Sequence, residues 1–114
     1  MQTILESVPQ SGQVQVNISV TATMNISAYA ARHKVNAFVM NEISYMLHST
    51  QPKLVVADRL FWRVPVVLSL KSRGDVGEVG TIDVDVETGQ MRVDHKVIEE
   101  IDARAEALAS HSAS

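Results

Sequence analysis

The sequence of 114 residues (12.5 kDa) has the size of one domain and leaves no room for a second hydrophobic core. Hydrophobic residues make up 46% and charged residues 20%, which is typical of a globular chain. The absence of cysteine excludes disulfides, thiolate nucleophiles and cysteine-ligated metals, and the net charge of −3 gives no general basic field for nucleic acid or acidic lipid. We expect a single domain over 1–114, with flexible ends at 1–12 and 110–114.

The expected location is the cytoplasm. No apolar run approaches the roughly 18 residues that a membrane span needs. Residues 1–13 have neither the basic start nor the long apolar core of a signal peptide. We therefore predict no membrane partner.

Charge is distributed unevenly along the chain. Residues 1–57 carry three positive and two negative side chains, whereas residues 58–114 carry seven positive and eleven negative ones. The polar residues of the first half are mostly Gln, Asn, Ser and Thr. Either this half has a neutral, hydrated surface, or part of it is covered by another chain, since interface cores are depleted in charge.

Alternating hydrophobicity marks the first predicted element, a strand over 13–23. Apolar residues occupy every second position from 14 to 22, and polar residues occupy the positions between them. A period of two with β-branched residues on one face is typical of a half-buried strand.

A helix is predicted next, over 28–48, with Ser27 as its N-cap. Its main apolar stripe contains Val35, Phe38, Val39, Ile43 and Met46. Met40, Tyr45 and Leu47 widen the stripe beyond the arc that one core needs. We therefore expect one flank of this helix to contact a second surface.

Two strands are predicted after the helix, at 53–57 and 61–70, with a turn at 58–59 between them. The second strand is apolar on both faces, which is typical of a strand covered on both sides. Pro65 lacks a backbone N–H and favours an edge or a bulge. Both features fit an edge or bulged strand whose outer face is covered by a partner subunit.

The next alternating segment, 79–86, predicts one strand of a hairpin closed by a glycine-containing turn. A register with Val86 opposite Met91 keeps every apolar residue on one face. The same register places Asp85 opposite Arg92 as a cross-strand ion pair.

Asp94 is the predicted N-cap of a final helix. The apolar stripe of this helix contains Val97, Ile98, Ile101, Ala105 and Leu108. The complete order predicts an α+β fold, an antiparallel sheet of four to five strands with two helices packed on one face, in the order β-α-β-β-β-β-α.

Residues 80–91, GTIDVDVETGQM, resemble the closing hairpin of PepSY-type domains, in which a strand ends in an acidic residue and a Thr-Gly turn. Those domains are small, mostly extracytoplasmic modules associated with inhibition or protein contact. The resemblance covers this hairpin alone. It agrees with the strand–turn–strand structure predicted there, and neither membership of that family nor any functional residue is inferred from it.

Glu42 is the most unusual residue of the predicted first helix. By helical phase it lies among apolar side chains, where an unpaired carboxylate is costly. We expect a buried salt bridge to Arg59 or Arg63. The alternatives are a polar anchor in a dimer or in a ligand pocket with Trp62 and Arg63, and, less favoured, a catalytic acid.

The acidic residues of the hairpin predict no catalytic or metal site. Asp83, Asp85 and Asp94 have a spacing close to that of a calcium loop, but Thr88 stands where that loop requires glycine. Asp83 and Asp85 share an outward strand face without the apolar pocket that separates the pKa values of catalytic carboxylates. A role in surface ion pairs is the favoured interpretation.

Neither the histidines nor the glycines are spaced as in a known site. His33 and His48 lie fifteen residues apart on the predicted helix, too far for one site. Gly74, Gly77 and Gly80 open no helix and therefore form no phosphate-binding loop. We predict no catalytic residue, no metal and no cofactor.

These observations favour a protein without catalytic activity that acts by protein–protein contact. We expect a homodimer, or an antitoxin-like or accessory protein that binds another protein, and no nucleic-acid partner. The interface candidates are Phe61, Pro65, Val67, Met40 and Tyr45. The alternative is a small-molecule binder or minor enzyme with a pocket between the first helix and the sheet, lined by Glu42, Trp62 and Arg63.

Overall fold

A computed structural model describes residues 19–112, which form an α+β fold with a five-stranded antiparallel sheet, as predicted. Its elements are α1 (Ala28–Glu42), β1 (Leu47–Ser49), β2 (Lys53–Val56), β3 (Leu60–Leu70), β4 (Gly74–Asp85), β5 (Met91–Arg92) and α2 (His95–Ser112). The order in this range is α-β-β-β-β-β-α, so the predicted order, with a strand before the first helix, is wrong here.

The predicted opening strand, 13–23, lies partly outside the described residues. Residues 13–18 are not described, and 19–23 are irregular. The segment before α1 contacts the β4–β5 turn through individual hydrogen bonds rather than a ladder. The backbone amides of Asn25 and Ile26 both donate to the Val86 carbonyl at 2.9 Å. Alternating residues supply an apolar face, but a strand also needs a neighbouring strand with which to form a hydrogen-bond ladder.

Helix α1 begins where predicted, because the Ser27 side chain caps its N-terminus. It ends at Glu42, well before the predicted end. There the amides of Ile43 and Ser44 both donate to the Val39 carbonyl, at 3.1 and 2.9 Å, which closes the last turn. The chain then reverses, so that β1 packs beside α1 instead of extending it.

Strand β3 lies at the centre of the sheet. On one side it pairs with both β1 and β2, which form an edge interrupted at 50–52, and on the other side it pairs with β4. The short strand β5 pairs with β4 at the opposite edge. The predicted strands at 53–57 and 61–70 are both present, with only their end residues changed.

Pro65 lies in this central strand, so of the two predicted placements, an edge or a bulge, the edge is wrong. Its carbonyl accepts a hydrogen bond from the Thr50 amide at 3.0 Å. Since the N and O of one strand residue point to the same side, the missing N–H faces the interruption at 50–52. The predicted bulge is present, because the β3–β4 pairing shifts register after Val66 and again after Leu68. A proline is tolerated here because the ladder is already broken.

The hairpin forms with a register two residues from the predicted one. Asp83, rather than Asp85, lies opposite Arg92, and the predicted Asp85–Arg92 ion pair is wrong. The Asp85 carboxylate accepts hydrogen bonds from the amides of Glu87 and Thr88, which starts the turn earlier than predicted. A shift of two residues leaves each side chain on its predicted face.

Both helices contribute to one hydrophobic core. The buried residues of this core are Ala31, Val35, Val39, Leu47, Val64, Val66, Leu68, Val79, Ile82, Val84, Ile101 and Ala105. Helix α1 packs against β1 and β3, and α2 packs against β4 and β3. The predicted cap of α2 is confirmed, since Asp94 Oδ1 accepts from the Val97 amide at 2.9 Å.

The glycines of β4 allow α2 to approach the sheet closely. A Cβ atom on Gly80 would lie 2.8 Å from Cγ1 of Ile101, and one on Gly77 would lie 3.1 Å from Cδ1 of Leu108. Gly77 and Gly80 are therefore positions at which the helix packs closely on the strand, whereas a Cβ atom on Gly74 would meet no atom within 4 Å.

Of the predicted flexible ends, 1–12 and 113–114 lie outside the described residues, and the remainder of the second is helical up to Ser112.

Within residues 19–112 no helix combines the length and the apolar character that crossing a membrane requires.

Candidate functional site

A groove of about 310 Å³ lies where β1 runs beside α1, and we call it the α1–β1 groove. It is lined by Tyr29, Arg32, His33 and Asn36 of α1 and by His48 and Ser49 of β1. The reversal of the chain after Glu42 creates this groove, because it returns β1 to the side of the helix.

Ser49 fixes the strand to the helix at the floor of the groove. Its hydroxyl donates to the Arg32 carbonyl at 2.8 Å, and its backbone N–H donates to Asn36 Oδ1 at 2.9 Å. Ser49 is buried, so both hydrogen bonds are shielded from water. The groove therefore has a defined shape before any ligand arrives.

The lining of the groove is basic. Arg32, His33 and His48 contribute cationic or ionisable nitrogen groups, and no Asp or Glu belongs to the described lining. The His33 ring packs edge-on against the Tyr29 ring, with a centroid distance of 5.4 Å. This arrangement can attract a negatively charged group.

His48 is held between two acceptors. Its Nε2 lies 2.8 Å from Asp75 Oδ1, and its Nδ1 lies 3.2 Å from the Ser49 carbonyl oxygen. The protonated ring donates from both nitrogens and so satisfies both acceptors, whereas a neutral ring can satisfy one. The hydrogen bond from His48 lowers the pKa of Asp75 from its usual value.

A second groove, of about 650 Å³, lies at the C-terminal end of α1, and we call it the α1-end groove. It is lined by Met40, Tyr45, Met46, Leu47, His48, Ser69, Leu70, Lys71 and Gly74. Tyr45 is 80% exposed and Met40 is 43% exposed at this groove. The structure thus places an exposed aromatic side chain next to a largely apolar depression.

The expected salt bridge of Glu42 is wrong. Glu42 is exposed in the last turn of α1, because the helix ends there and the following residues leave the helical path. Arg59 pairs instead with Asp85 at 2.6 Å, and Arg63 pairs with Asp83 at 2.9 Å.

The structure also does not bring together the three residues of the predicted pocket. Trp62 and Arg63 are neighbours in β3 and therefore point to opposite faces of the sheet. The Trp62 Nε1–H donates to the Ile26 carbonyl at 2.7 Å, beneath the segment that leads into α1. Glu42 is exposed at the far end of that helix, so no common pocket contains the three side chains.

The predicted interface residues fall into two groups. Met40 and Tyr45 are exposed at the α1-end groove, whereas Pro65 and Val67 are half-buried in β3. Phe61 is 2% exposed, and the Arg92 guanidinium lies 3.8 Å from its ring centroid. A charged substitution at Phe61 would therefore damage packing within one chain before it tested any contact between chains.

Asp83 forms an ion pair with Arg63 of β3, and Asp85 forms one with Arg59 in the β2–β3 turn. Asp85 also accepts two turn amides, and the hydrogen bond from Arg59 is the main cause that lowers its pKa to about 2. The predicted ion pairing of both carboxylates is present, but Asp85 is buried, so its predicted outward position is wrong. Among residues 19–112, no three His, Asp or Glu side chains are grouped as metal ligands.

The prediction that His33 and His48 lie too far apart for one site is wrong, since both line the α1–β1 groove. The prediction assumed one helix through His48, which would separate the two rings by fifteen helical residues. The end of α1 has neither glycine nor proline to mark it. The available signal is Ser44, whose hydroxyl accepts from the Met46 amide at 3.2 Å and stabilises the turn.

Comparison with protein-family models, with curated proteins and with solved structures gave no match. The similarity of residues 80–91 to the PepSY hairpin therefore remains a local one. The function has to be argued from the two grooves.

Proposed function

We propose that the protein acts by protein–protein contact and forms a homodimer through the α1-end groove. The observation that carries the proposal is the exposure of Tyr45 beside a groove with an apolar floor. Aromatic residues and methionine are enriched at protein interfaces, and a monomer gains little by exposing them.

The distribution of exposed apolar residues supports this proposal. In the described range, the large exposed hydrophobic residues are Met24, Tyr29, Met40, Tyr45 and Leu54. All of them belong to the charge-poor half of the sequence, 1–57. Charge depletion and exposed apolar groups thus occur in the same half of the chain, and two residues of this set, Met40 and Tyr45, line the α1-end groove, which is the surface that the proposed second copy covers.

A second copy is the partner that this geometry favours. In a dimer with twofold symmetry the same patch serves both subunits, so the patch must complement itself. Tyr45 projects beside the groove that contains Met46 and Leu70. Each subunit can therefore place its own Tyr45 in the groove of the other, which buries both side chains at once.

The same surface would serve an accessory or antitoxin-like role toward a different protein, in which the partner replaces the second copy. The cysteine-free composition agrees with the reducing cytoplasm as the place of action.

Light scattering behind a sizing column tests the proposal. We expect the wild-type protein to have twice the mass of one chain and Tyr45→Glu to have the mass of one chain. Burial of a carboxylate without a partner opposes association strongly. Leu54→Glu is the matched control, because Leu54 is an exposed apolar residue on β2, outside the lining of the α1-end groove.

The control is expected to remain dimeric, and circular dichroism of both variants checks that they fold. A wild-type protein that stays monomeric across the whole concentration series contradicts the proposal. A dimeric Tyr45→Glu variant contradicts it equally, since the charge would then lie outside the interface.

A further inference from the structure

We propose that the α1–β1 groove binds a small molecule through an oxyanion, a phosphate or a carboxylate group, with Arg32 and His33 as the contacting residues. The contacting residues Arg32 and His33 lie outside the lining of the α1-end groove, on which the proposed dimer surface is centred, although His48 lines both grooves. The site also differs in place and composition from the pocket predicted from the sequence.

The guanidinium of Arg32 is the main reason for this assignment. The structure gives it no hydrogen bond or ion pair with any residue of 19–112, although the Arg32 carbonyl accepts from Ser49. Arg59 and Arg63, in contrast, are each paired with a carboxylate of β4. A guanidinium presents five donors in a plane and binds carboxylate or phosphate through two parallel hydrogen bonds.

Two histidines lie beside Arg32 in the groove. The His33 ring is positioned by Tyr29, and the His48 ring is oriented across the groove by Asp75. Both nitrogens of His48 already face acceptors, and the Asp75 carboxylate balances any charge on its ring, whereas His33 keeps its nitrogens for a ligand.

The shape of the groove fits a small ligand. Its volume of about 310 Å³ lies at the lower end of the range for small-molecule sites. The two hydrogen bonds of Ser49 hold β1 against α1, so the backbone of the groove needs little ordering on binding. A phosphate or carboxylate group with a short carbon skeleton matches this space and charge.

Amide chemical shifts of ¹⁵N-labelled protein, recorded at pH 6, test the site. The titrants are sodium sulfate, as a tetrahedral dianion, and sodium succinate, as a dicarboxylate, with sodium chloride at matched ionic strength as the reference. We expect saturable shifts concentrated at 29–36 and 48–49 with at least one titrant. Stronger binding of sulfate indicates a phosphate ligand, and stronger binding of succinate indicates a carboxylate. Shifts that match the chloride reference with both titrants overturn the proposal.

Variants distinguish binding at this site from a general attraction of anions to the protein surface. Arg32→Gln should weaken the binding about tenfold or more, which corresponds to the loss of a charge-assisted contact. His33→Asn should weaken it by a smaller factor. Arg104→Gln is the matched control, since it removes an exposed arginine on α2. Equal weakening by Arg32→Gln and Arg104→Gln, or no weakening by Arg32→Gln, overturns the proposal.

Discussion

At the scale of single residues, Asp85 links the hairpin to the rest of the sheet. Its carboxylate pairs with Arg59 and also accepts the amides of Glu87 and Thr88. The Arg59 guanidinium also pairs with Glu87 at 3.1 Å. One charged cluster therefore holds the β2–β3 turn against the β4–β5 turn.

Asp85→Asn tests how much the charge of Asp85 contributes to the stability of this cluster. Asparagine keeps an oxygen acceptor for the turn amides but loses the ion pair, so we expect a loss of about 1–3 kcal/mol in the free energy of unfolding at pH 7. Urea unfolding measures this difference. Asp102→Asn, an exposed residue of α2, is the control and should change the free energy of unfolding little.

The difference in the free energy of unfolding between the wild type and Asp85→Asn depends on pH in a defined direction. The folded-state pKa of Asp85, about 2, is below the ordinary value of 3.8, so the ionised form favours the folded state. The stabilisation is complete above about pH 4 and is lost as the pH falls toward 2. The difference between the wild type and Asp85→Asn should therefore shrink over this range, and a constant difference down to pH 2.5 would exclude the ion pair as its cause.

At the scale of elements, the close packing of α2 on β4 depends on glycine. Gly80→Ala should destabilise the fold by about 1–3 kcal/mol, because the added Cβ meets the Ile101 side chain at 2.8 Å. The cause is tested by a double-mutant cycle with Ile101→Ala, followed by thermal or urea unfolding. If the contact causes the loss, Gly80→Ala costs less in the Ile101→Ala background. An equal cost in both backgrounds would point to backbone conformation alone.

Elements with a local signal were predicted correctly from the sequence. Ser27 and Asp94 mark the starts of the two helices, and the apolar stripe of α2 contains the buried Ile101 and Ala105. Features that depend on distant residues were not predicted. The place of Pro65 in a central strand follows from the interruption of the neighbouring edge at 50–52, which no residue near Pro65 indicates.

The same distinction between local signals and features that depend on distant residues applies to the candidate site. The predicted apolar stripe singled out Met40 and Tyr45, which are exposed at the α1-end groove, but Tyr45 lies beyond the end of α1, and Leu47, from the same predicted stripe, is buried. The α1–β1 groove was missed because it exists only when the chain reverses after Glu42. Before that reversal is known, His33 and His48 are simply two distant histidines.

At the scale of the whole molecule, the two edges of the sheet differ in the number of charged residues around them. The edge with α1, β1 and β2 comes from the charge-poor half of the sequence. The edge with β4 and β5, together with α2, comes from the half with eleven acidic and seven basic residues. A surface rich in charge keeps a protein in solution, whereas the charge-poor edge is suited to contact with another chain.

The most direct test of this account is a paramagnetic relaxation measurement between two copies. Asn41 is exposed on α1 beside Met40, and the chain has no native cysteine, so Asn41→Cys accepts a single spin label. The labelled protein, without ¹⁵N, is mixed with ¹⁵N-labelled wild type. We predict broadening of the wild-type amides at Met46, Leu70 and Lys71. Sharp signals at these positions, in a mixture that light scattering shows to be dimeric, would contradict the proposed interface.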